Sequence, residues 1–185
     1  VKELARALHA PTEGDMADFK RLARFLQQTG DWTFLNELER RPAPDEVLKV
    51  QIWHDSDHAG SWRDRRSTTG LRATCLGFKL SHSSTTQPGL PATSSGESEL
   101  RGMTKAGKEG LFIRNIFRED GVEVQVELLG DSSAALSNSR KLGPGKMRRI
   151  ERNELYLKEM VQRKMVKASR VGGSINPVSY THLTL

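Results

Sequence analysis

The sequence is poor in cysteine and in long apolar runs, and each shortage limits what the protein can be. Cys75 is the only cysteine among 185 residues, so the chain can form no internal disulfide and no cysteine cluster for zinc. This cysteine usage is typical of a reducing compartment. No apolar run approaches the roughly 18 residues that a membrane-spanning helix needs. The first residues contain no secretory signal, so we expect the chain to begin within a longer polypeptide.

Positive charge is in excess. Lysine and arginine number 29 against 23 acidic residues, which gives a formal net charge of +6. A basic domain favours an anionic partner, and nucleic acid is the commonest one. The hydrophobic and charged fractions, 36% and 28%, are those of a soluble globular protein. The length predicts one well-buried domain with an appended piece rather than two full domains.

A change in pattern near residue 45 divides the chain. Apolar residues recur at helical spacing from Asp15 to Gln28, after the helix-start signal Pro11-Thr12. Residues 39–46 (ERRPAPDE) then combine charge with two prolines, which continue neither a helix nor a central strand. We therefore predict an N-terminal helical fragment over 1–47 and a domain over 48–177.

Strand and helix patterns alternate within the predicted domain, which indicates an α/β protein with a mixed sheet. Val50, Ile52 and His54 alternate with Gln51, Trp53 and Asp55 in a predicted strand that ends at this carboxylate. The other predicted elements are a hairpin over 70–77 and 79–85, a helix over 94–119, a strand over 124–129 that ends near Asp131, a short helix over 132–139, a Gly-Pro-Gly turn at 143–145, a basic helix over about 147–163 and a last strand over 165–171.

Three carboxylates are candidates for one site. If the strands that end in Asp55 and Asp131 are parallel neighbours, both acids lie at the carboxyl edge of the sheet. On the long helix, Glu99 shares the apolar arc whereas Glu97 falls outside it, so Glu99 points inward. Converging carboxylates repel one another unless a cation neutralises them, and oxygen-rich sites suit Mg²⁺ or Mn²⁺. Two such ions, roughly 3.5–4 Å apart, support phosphodiester hydrolysis.

Local patterns also allow simpler roles for the same residues. Asp55 could open a turn, and Asp131 could cap the helix that follows it. Glu99 could pair with Arg101 or Lys105 on the surface if the helix phase is different. The residues taken one at a time leave these alternatives open.

At these acids the sequence resembles the ribonuclease H region of copia-type retrotransposons. The family's Asp-x-Asp, Trp-Ala-Gly and Asp-Arg-Arg-Ser-Thr-x-Gly series is matched by DSDHAGSWRDRRSTTG from Asp55 to Gly70. Its Ser-Ser-x-Glu-x-Glu-Tyr motif is matched by SSGESEL from Ser94, and its Asp-Asn-x-Ser-Ala motif by DSSAA from Asp131. MRRIERNELYLKEMV from Met147 is similar to the segment that contains Lys-His-Ile-Asp. The four matches occur in the family's order.

The resemblance extends upstream, where LARALHAPTEGDMADFKRLARFLQQTGDW is similar to the end of the copia reverse transcriptase. It implies a ribonuclease H fold, which is a five-stranded mixed sheet flanked by helices. Asp55 would bridge two Mg²⁺ (or Mn²⁺) ions, and Glu99 and Asp131 would complete the shell of one. The implied substrate is an RNA–DNA hybrid, and the implied partners are the reverse transcriptase and integrase of the same Pol polyprotein. The implied location is virus-like particles in the cytoplasm, with the nucleus as the alternative. This upstream match disfavours a transposase or an integrase.

Several positions depart from the family pattern. His58 replaces Trp, Leu100 replaces Tyr, Ser132 replaces Asn, Arg149 replaces His and Glu151 replaces Asp. The family's closing Pro-Ala-Asp-x-x-Thr-Lys segment carries a fourth carboxylate, but here Asn176-Pro177 leads into VSYTHLTL. We therefore interpret residues 178–185 as a non-native tail on a truncated domain, with sequence divergence as the alternative. The corresponding functional alternative is a non-catalytic, nucleic-acid-binding remnant.

Basic residues follow the first and third carboxylates. Their positions allow contacts with the phosphates of a duplex, and the alternative is a solvated basic face. The candidates for nucleic-acid binding are Arg63, Arg65, Arg66, Lys146, Arg148, Arg149 and Arg152. Asp57 is predicted to organise a turn rather than to bind metal, and His54, His58 and His82 fit no metal-ligand spacing.

Overall fold

The protein is described by a computed structural model that covers residues 2–33, 35–61, 63–140 and 152–179. It divides into two compact units, Val1–Asn36 and Glu37–Leu185. No helix of the described ranges is long and apolar enough to cross a membrane.

The first unit contains two helices, α1 (Lys2–Ala7) and α2 (Glu13–Gln28). The predicted start of α2 is confirmed, because Thr12 is its N-cap and forms a capping box with Asp15. None of the residues of α2 is buried, and its apolar side chains Phe19, Phe25 and Leu26 are all more than half exposed. The helical spacing of its apolar residues therefore makes α2 an amphipathic helix on the surface of its own unit.

The second unit contains a five-stranded sheet with the order β3-β2-β1-β4-β5. Its strands are β1 (Leu48–Ser56), β2 (Thr68–Cys75), β3 (Phe78–Thr86), β4 (Val124–Gly130) and β5 (Lys167–Arg170). β1, β2 and β3 are antiparallel neighbours, whereas β1, β4 and β5 are parallel. The predicted hairpin is confirmed, and its turn places both Leu76 and Gly77 at positive φ.

Helix α3 (Ser95–Glu119) packs along β1 and β4, and α4 (Ser133–Arg140) and α5 (Arg152–Gln162) pack against α3. The core between sheet and helices contains Ile52, Leu128 and Leu157, which are fully buried. α3 approaches the sheet closely because Gly102 and Gly110 face it; a side chain at Gly102 would collide with Ser56. The helix backbone, and with it Glu99, is thereby held close to β1.

The order of elements predicted between residues 48 and 140 is confirmed throughout. The Gly-Pro-Gly turn at 143–145 and the first part of the basic helix lie outside the described residues. The described part of that helix is α5, and the last predicted strand is present as the shorter β5. A 3₁₀ helix, η1 (Gly173–Ile175), follows β5.

Candidate metal centre

The fold brings Asp55, Glu99 and Asp131 to one edge of the sheet. Asp55 is the penultimate residue of β1, and Asp131 follows the last residue of β4. Because β1 and β4 are parallel neighbours, both acids emerge at the same carboxyl edge. Glu99 reaches them from the start of α3. One carboxylate oxygen from each residue lies within 4.8 Å of the other two, which is the spacing of ligands around one cation.

Glu99 is the most buried of the three acids, with 8% of its surface exposed. Its Oε1 accepts a hydrogen bond of 3.2 Å from the backbone N–H of Ser56. Its Oε2 is buried and has no hydrogen-bond partner within the described part of the chain. Burial raises the pKa of Glu99 to about 8, and the neighbouring charges of Asp55 and Asp131 add to the increase. The site therefore keeps a proton on Glu99 near neutral pH until a cation compensates the three carboxylates.

The donor set fits a hard divalent cation. All three side chains offer oxygen, the ligand atom that Mg²⁺ and Mn²⁺ prefer. No lysine or arginine of the described ranges forms an ion pair with any of the three acids. The unpaired Oε2 of Glu99 is a buried acceptor that a metal ion would satisfy. The residues present therefore fit a Mg²⁺ or Mn²⁺ site.

Glu97 shows what a structural carboxylate looks like on the same helix turn. The helix phase predicted Glu97 outside the apolar arc, yet only 8% of its surface is exposed. Its Oε2 accepts hydrogen bonds from the N–H and hydroxyl of Thr93, and Arg101 lies 2.7 Å from its Oε1. Burial alone would raise the pKa of Glu97, but these partners outweigh it and lower the pKa. Arg101 is thus the partner of Glu97, and the alternative surface pairing of Glu99 does not occur.

The loop after β1, residues 57–67, carries three of the candidate arginines. Asp57 organises it: its Oδ1 accepts hydrogen bonds from the N–H groups of Thr68 at 2.7 Å and Gly60 at 3.3 Å. Arg63 and Arg65 are exposed, and Arg66 is partly exposed. This arginine loop leaves the sheet directly beside Asp55. The loop therefore carries three arginines on the segment that follows Asp55 along the chain.

Comparison with known proteins identifies the architecture. No family model matches the sequence, and no curated protein matches it either. A ribonuclease H1 isolated from compost by a metagenomic approach matches with a TM-score of 0.53 and 14% identity, over 74% of this chain and 99% of the other. The domain has the ribonuclease H fold. The five-stranded mixed sheet with flanking helices, predicted from the sequence, is confirmed.

Two further solved structures match this chain with lower TM-scores. The N-terminal RNase H domain of a Mycobacterium tuberculosis protein matches with a TM-score of 0.47 and 14% identity, over 70% of this chain and 86% of the other. The protease-reverse transcriptase of prototype foamy virus matches with a TM-score of 0.45 and 11% identity, over 81% of this chain and 21% of the other.

Sequence reasoning missed two residues that support the edge of this ribonuclease H fold. Among the three histidines that fit no metal-ligand spacing, His54 is fully buried, whereas His58 and His82 are exposed. Asn176 is also fully buried, and its Nδ2 donates a hydrogen bond of 3.0 Å to the backbone oxygen of His54. The strand alternation pointed to an inward His54. Nothing local marked Asn176 as a contact of β1.

The end of the described chain lies beside the carboxylates. A side chain at Gly173 would come within 3.2 Å of Asp131 Oδ2. Val178 is fully buried, and its N–H donates to Asn176 Oδ1 at 3.2 Å. The Oγ of Ser179 is buried without a hydrogen-bond partner among the residues described. Ser179 occupies the position at which the resembling family has its closing Asp.

Most of the second basic cluster falls in a part of the chain that the structure does not describe. Lys146, Arg148 and Arg149 lie outside the described residues, as does Glu151. Arg152 is the first residue of α5, and nothing is described of its side chain. The contribution of this cluster to nucleic-acid binding therefore stays a prediction.

Proposed function

We propose that the protein is a divalent-metal-dependent endonuclease that hydrolyses the RNA strand of RNA–DNA hybrids. The observation that carries the proposal is the convergence of Asp55, Glu99 and Asp131 at the carboxyl edge of β1 and β4, within a ribonuclease H fold. Glu99 keeps a buried, unpaired oxygen there, which a purely structural carboxylate such as Glu97 does not. The copia-type motifs support the same function.

Each residue of the site has a part in the proposed chemistry. Asp55 would be shared between two Mg²⁺ or Mn²⁺ ions, and Glu99 and Asp131 would hold one of them. The ions, when bound, activate water and neutralise the charge that develops on the phosphate. The N–H of Ser56 holds one oxygen of Glu99 and so fixes the direction of that carboxylate. The arginine loop would bind the duplex backbone, which positions the substrate without reading its sequence.

The proposed setting is the Pol polyprotein of a copia-type retrotransposon. Residues 1–47 would be the end of its reverse transcriptase, and the domain would act within virus-like particles in the cytoplasm, with integrase in the same polyprotein. The proposal rests on the order of the four motifs and on the upstream segment. Removal of RNA from the hybrid is the step that reverse transcription requires of such a domain.

A second candidate is a nucleic-acid-binding remnant without catalytic activity. The observation that favours it is Ser179, a neutral residue at the position of the family's fourth carboxylate. Three acids can supply one ion with several oxygens, but the second ion would share Asp55 and otherwise depend on the missing acid. We therefore expect the chain to bind hybrid and to cleave it weakly.

Calorimetric titration of the folded protein with Mg²⁺ tests the proposed site. Asp55→Asn should remove measurable binding and leave the fold intact, because a bridging ligand needs a full negative charge. Asp45→Asn is the matched control, since Asp45 is exposed and outside the site. Unchanged Mg²⁺ affinity in a folded Asp55→Asn protein would remove this aspartate from the site. Cleavage of a labelled hybrid, with Mg²⁺ and with Mn²⁺, separates the nuclease from the remnant.

A further inference from the structure

His54 is a buried, polar group that the proposed chemistry does not use. Its ring is completely buried, and neither ring nitrogen has a hydrogen-bond partner within the described residues. The carboxylate of Glu99 lies beside it, with Oε2 at 3.9 Å from His54 Nδ1. That oxygen is the one that lacks a partner. Two unsatisfied buried atoms therefore face each other beside the candidate metal centre.

The position of the ring is fixed by its neighbours. The imidazole occupies the space above Gly130 of β4, where a Cβ would lie 2.5 Å from His54 Nε2. The backbone of His54 is held by the side-chain amide of Asn176. A neutral imidazole carries one N–H donor. The carboxylate of Glu99 is an acceptor whose Oε2 lies 3.9 Å from His54 Nδ1.

We infer that His54 is a positioning residue that donates a hydrogen bond from Nδ1–H to Oε2 of Glu99 and so orients this carboxylate toward a divalent cation. The inference rests on the proposed metal site. The observed 3.9 Å must shorten by roughly 1 Å to reach an ordinary N–H···O distance. Ser56 then holds one oxygen of Glu99 and His54 the other, so both oxygens of the carboxylate are directed by fixed donors.

If the His54 ring only filled space, replacing it would have a different effect. Burying a polar group without a hydrogen bond is costly, so an apolar side chain of similar size would fill the same space at a lower cost. A hydrogen bond to a metal-binding carboxylate, by contrast, raises metal affinity by roughly tenfold to a hundredfold. The two roles can therefore be distinguished by measuring both stability and Mg²⁺ affinity in the same variant.

The first measurement is Mg²⁺ affinity by calorimetry for the wild type and for His54→Leu, His54→Gln and Asp55→Asn. His54→Leu should fold and melt at or above the wild-type temperature, yet bind Mg²⁺ about tenfold or more weakly. His54→Gln, which keeps an N–H donor, should recover part of the affinity. His58→Leu is the control, because His58 is exposed. Wild-type affinity in His54→Leu, combined with abolished binding in Asp55→Asn, would overturn the role of His54 and leave the metal site standing.

The second measurement needs no substitution and decides the case even if a variant fails to fold. Nitrogen-15 NMR of histidine-labelled wild type, with Mg²⁺ bound, should show His54 protonated at Nδ1 and bare at Nε2. The opposite tautomer in the Mg²⁺-bound protein would overturn the inference. No Mg²⁺ binding by the wild type at millimolar concentration would overturn the metal site and this inference together.

Discussion

The two ends of the β1–β4 strand pair hold charges of opposite sign. The two ends also differ in whether the charged side chains have partners. At the carboxyl end, Asp55, Glu99 and Asp131 converge without a basic partner among the described residues. At the other end, a depression of about 440 Å³ is lined by Arg114, Arg118, Lys164, Lys167 and one acid, Glu123. There Arg114 and Lys167 each have a described polar partner, whereas the three acids at the carboxyl end have no lysine or arginine partner among the described residues.

The positions of the basic residues at this end follow from the ends of two helices. α3 and α5 both end near it, and cations are favoured at helix C-termini. Arg114 donates a hydrogen bond to the backbone oxygen of Met165, and Lys167 lies 3.5 Å from Glu127 across β4 and β5. These two contacts join α3 and β4 to the segment that contains β5. The comparison teaches that function is better inferred from a charge without a partner than from the number of charges.

The largest effect should come from adding a fourth carboxylate to the acidic end. Ser179→Asp, or replacement of the chain from Val178 by Ala-Asp-Leu-Leu-Thr-Lys, should raise hybrid cleavage on the order of a hundredfold, because a second ion supplies both nucleophile and charge stabilisation. Asn115→Asp adds the same charge toward the opposite end and should change nothing. Single-turnover cleavage with Mg²⁺ measures the effect. Brisk cleavage by the unmodified chain would show that another acid, such as Glu151, already fills the position.

The arginine loop should produce the next largest effect. Joint replacement of Arg63, Arg65 and Arg66 by Ala should weaken hybrid binding at low salt by about tenfold. It should also flatten the slope of log K against log salt, by at most about 0.9 for each phosphate that the loop no longer neutralises. Joint replacement of Arg118, Lys164 and Lys167 by Ala removes the same number of positive charges at the basic end and is the matched control. Fluorescence anisotropy across a salt series provides both numbers. Equal slopes in the two variants would mean that the loop is only a solvated face.

The same titration tests the second basic cluster. Replacement of Arg148, Arg149 and Arg152 by Ala should also flatten the salt slope, to the extent that these residues bind phosphates. An unaltered slope would assign them to the solvent-exposed surface.

The smallest effect concerns the stability of the metal-free protein. Glu99 has a folded pKa of about 8 and a reference value of 4.5, so its contribution to stability is complete below pH 4.5 and is lost as the pH rises toward 8. Glu99→Gln should remove this pH dependence, and at pH 8.5 the difference should be at least about 1 kcal/mol, since one pKa unit corresponds to about 1.4 kcal/mol. Urea unfolding in EDTA at pH 5, 7 and 8.5 measures it, with Glu123→Gln as control. Parallel pH curves for wild type and Glu99→Gln would contradict the burial argument.

The fold was largely predictable because β1 alternates between buried and less buried residues and because Ser94 can cap the long helix α3. The Ser94 hydroxyl accepts the N–H of Glu97, whereas the Glu97 carboxylate accepts hydrogen bonds from Thr93, outside the helix. The contacts of the Glu97 carboxylate depend on Arg101 and on the loop before α3, and neither is part of the local sequence pattern at Ser94. The burial of Glu97 was missed for the same reason.

The three acids of the candidate site could be predicted from the sequence, but the contacts of the residues around them could not. Helix phase and strand ends predicted that Glu99 would face Asp55 and Asp131. The hydrogen bond between His54 and Asn176 joins residues 122 positions apart, and the spacing of apolar residues along the sequence does not indicate such a contact. It depends on the register of β1 against β4 and on the path of the chain after β5.

The close approach of Gly130 to His54 has a consequence for how this sequence can vary. Any side chain larger than hydrogen at position 130 competes with the imidazole for the same volume, so a larger residue at position 130 requires a smaller one at position 54. Gly130→Ala should be poorly tolerated with His54 present and rescued when His54 is reduced to Ser or Ala. A genetic screen for second-site suppressors of Gly130→Ala should therefore return substitutions at position 54, and lineages that carry a larger residue at 130 should carry a smaller one at 54.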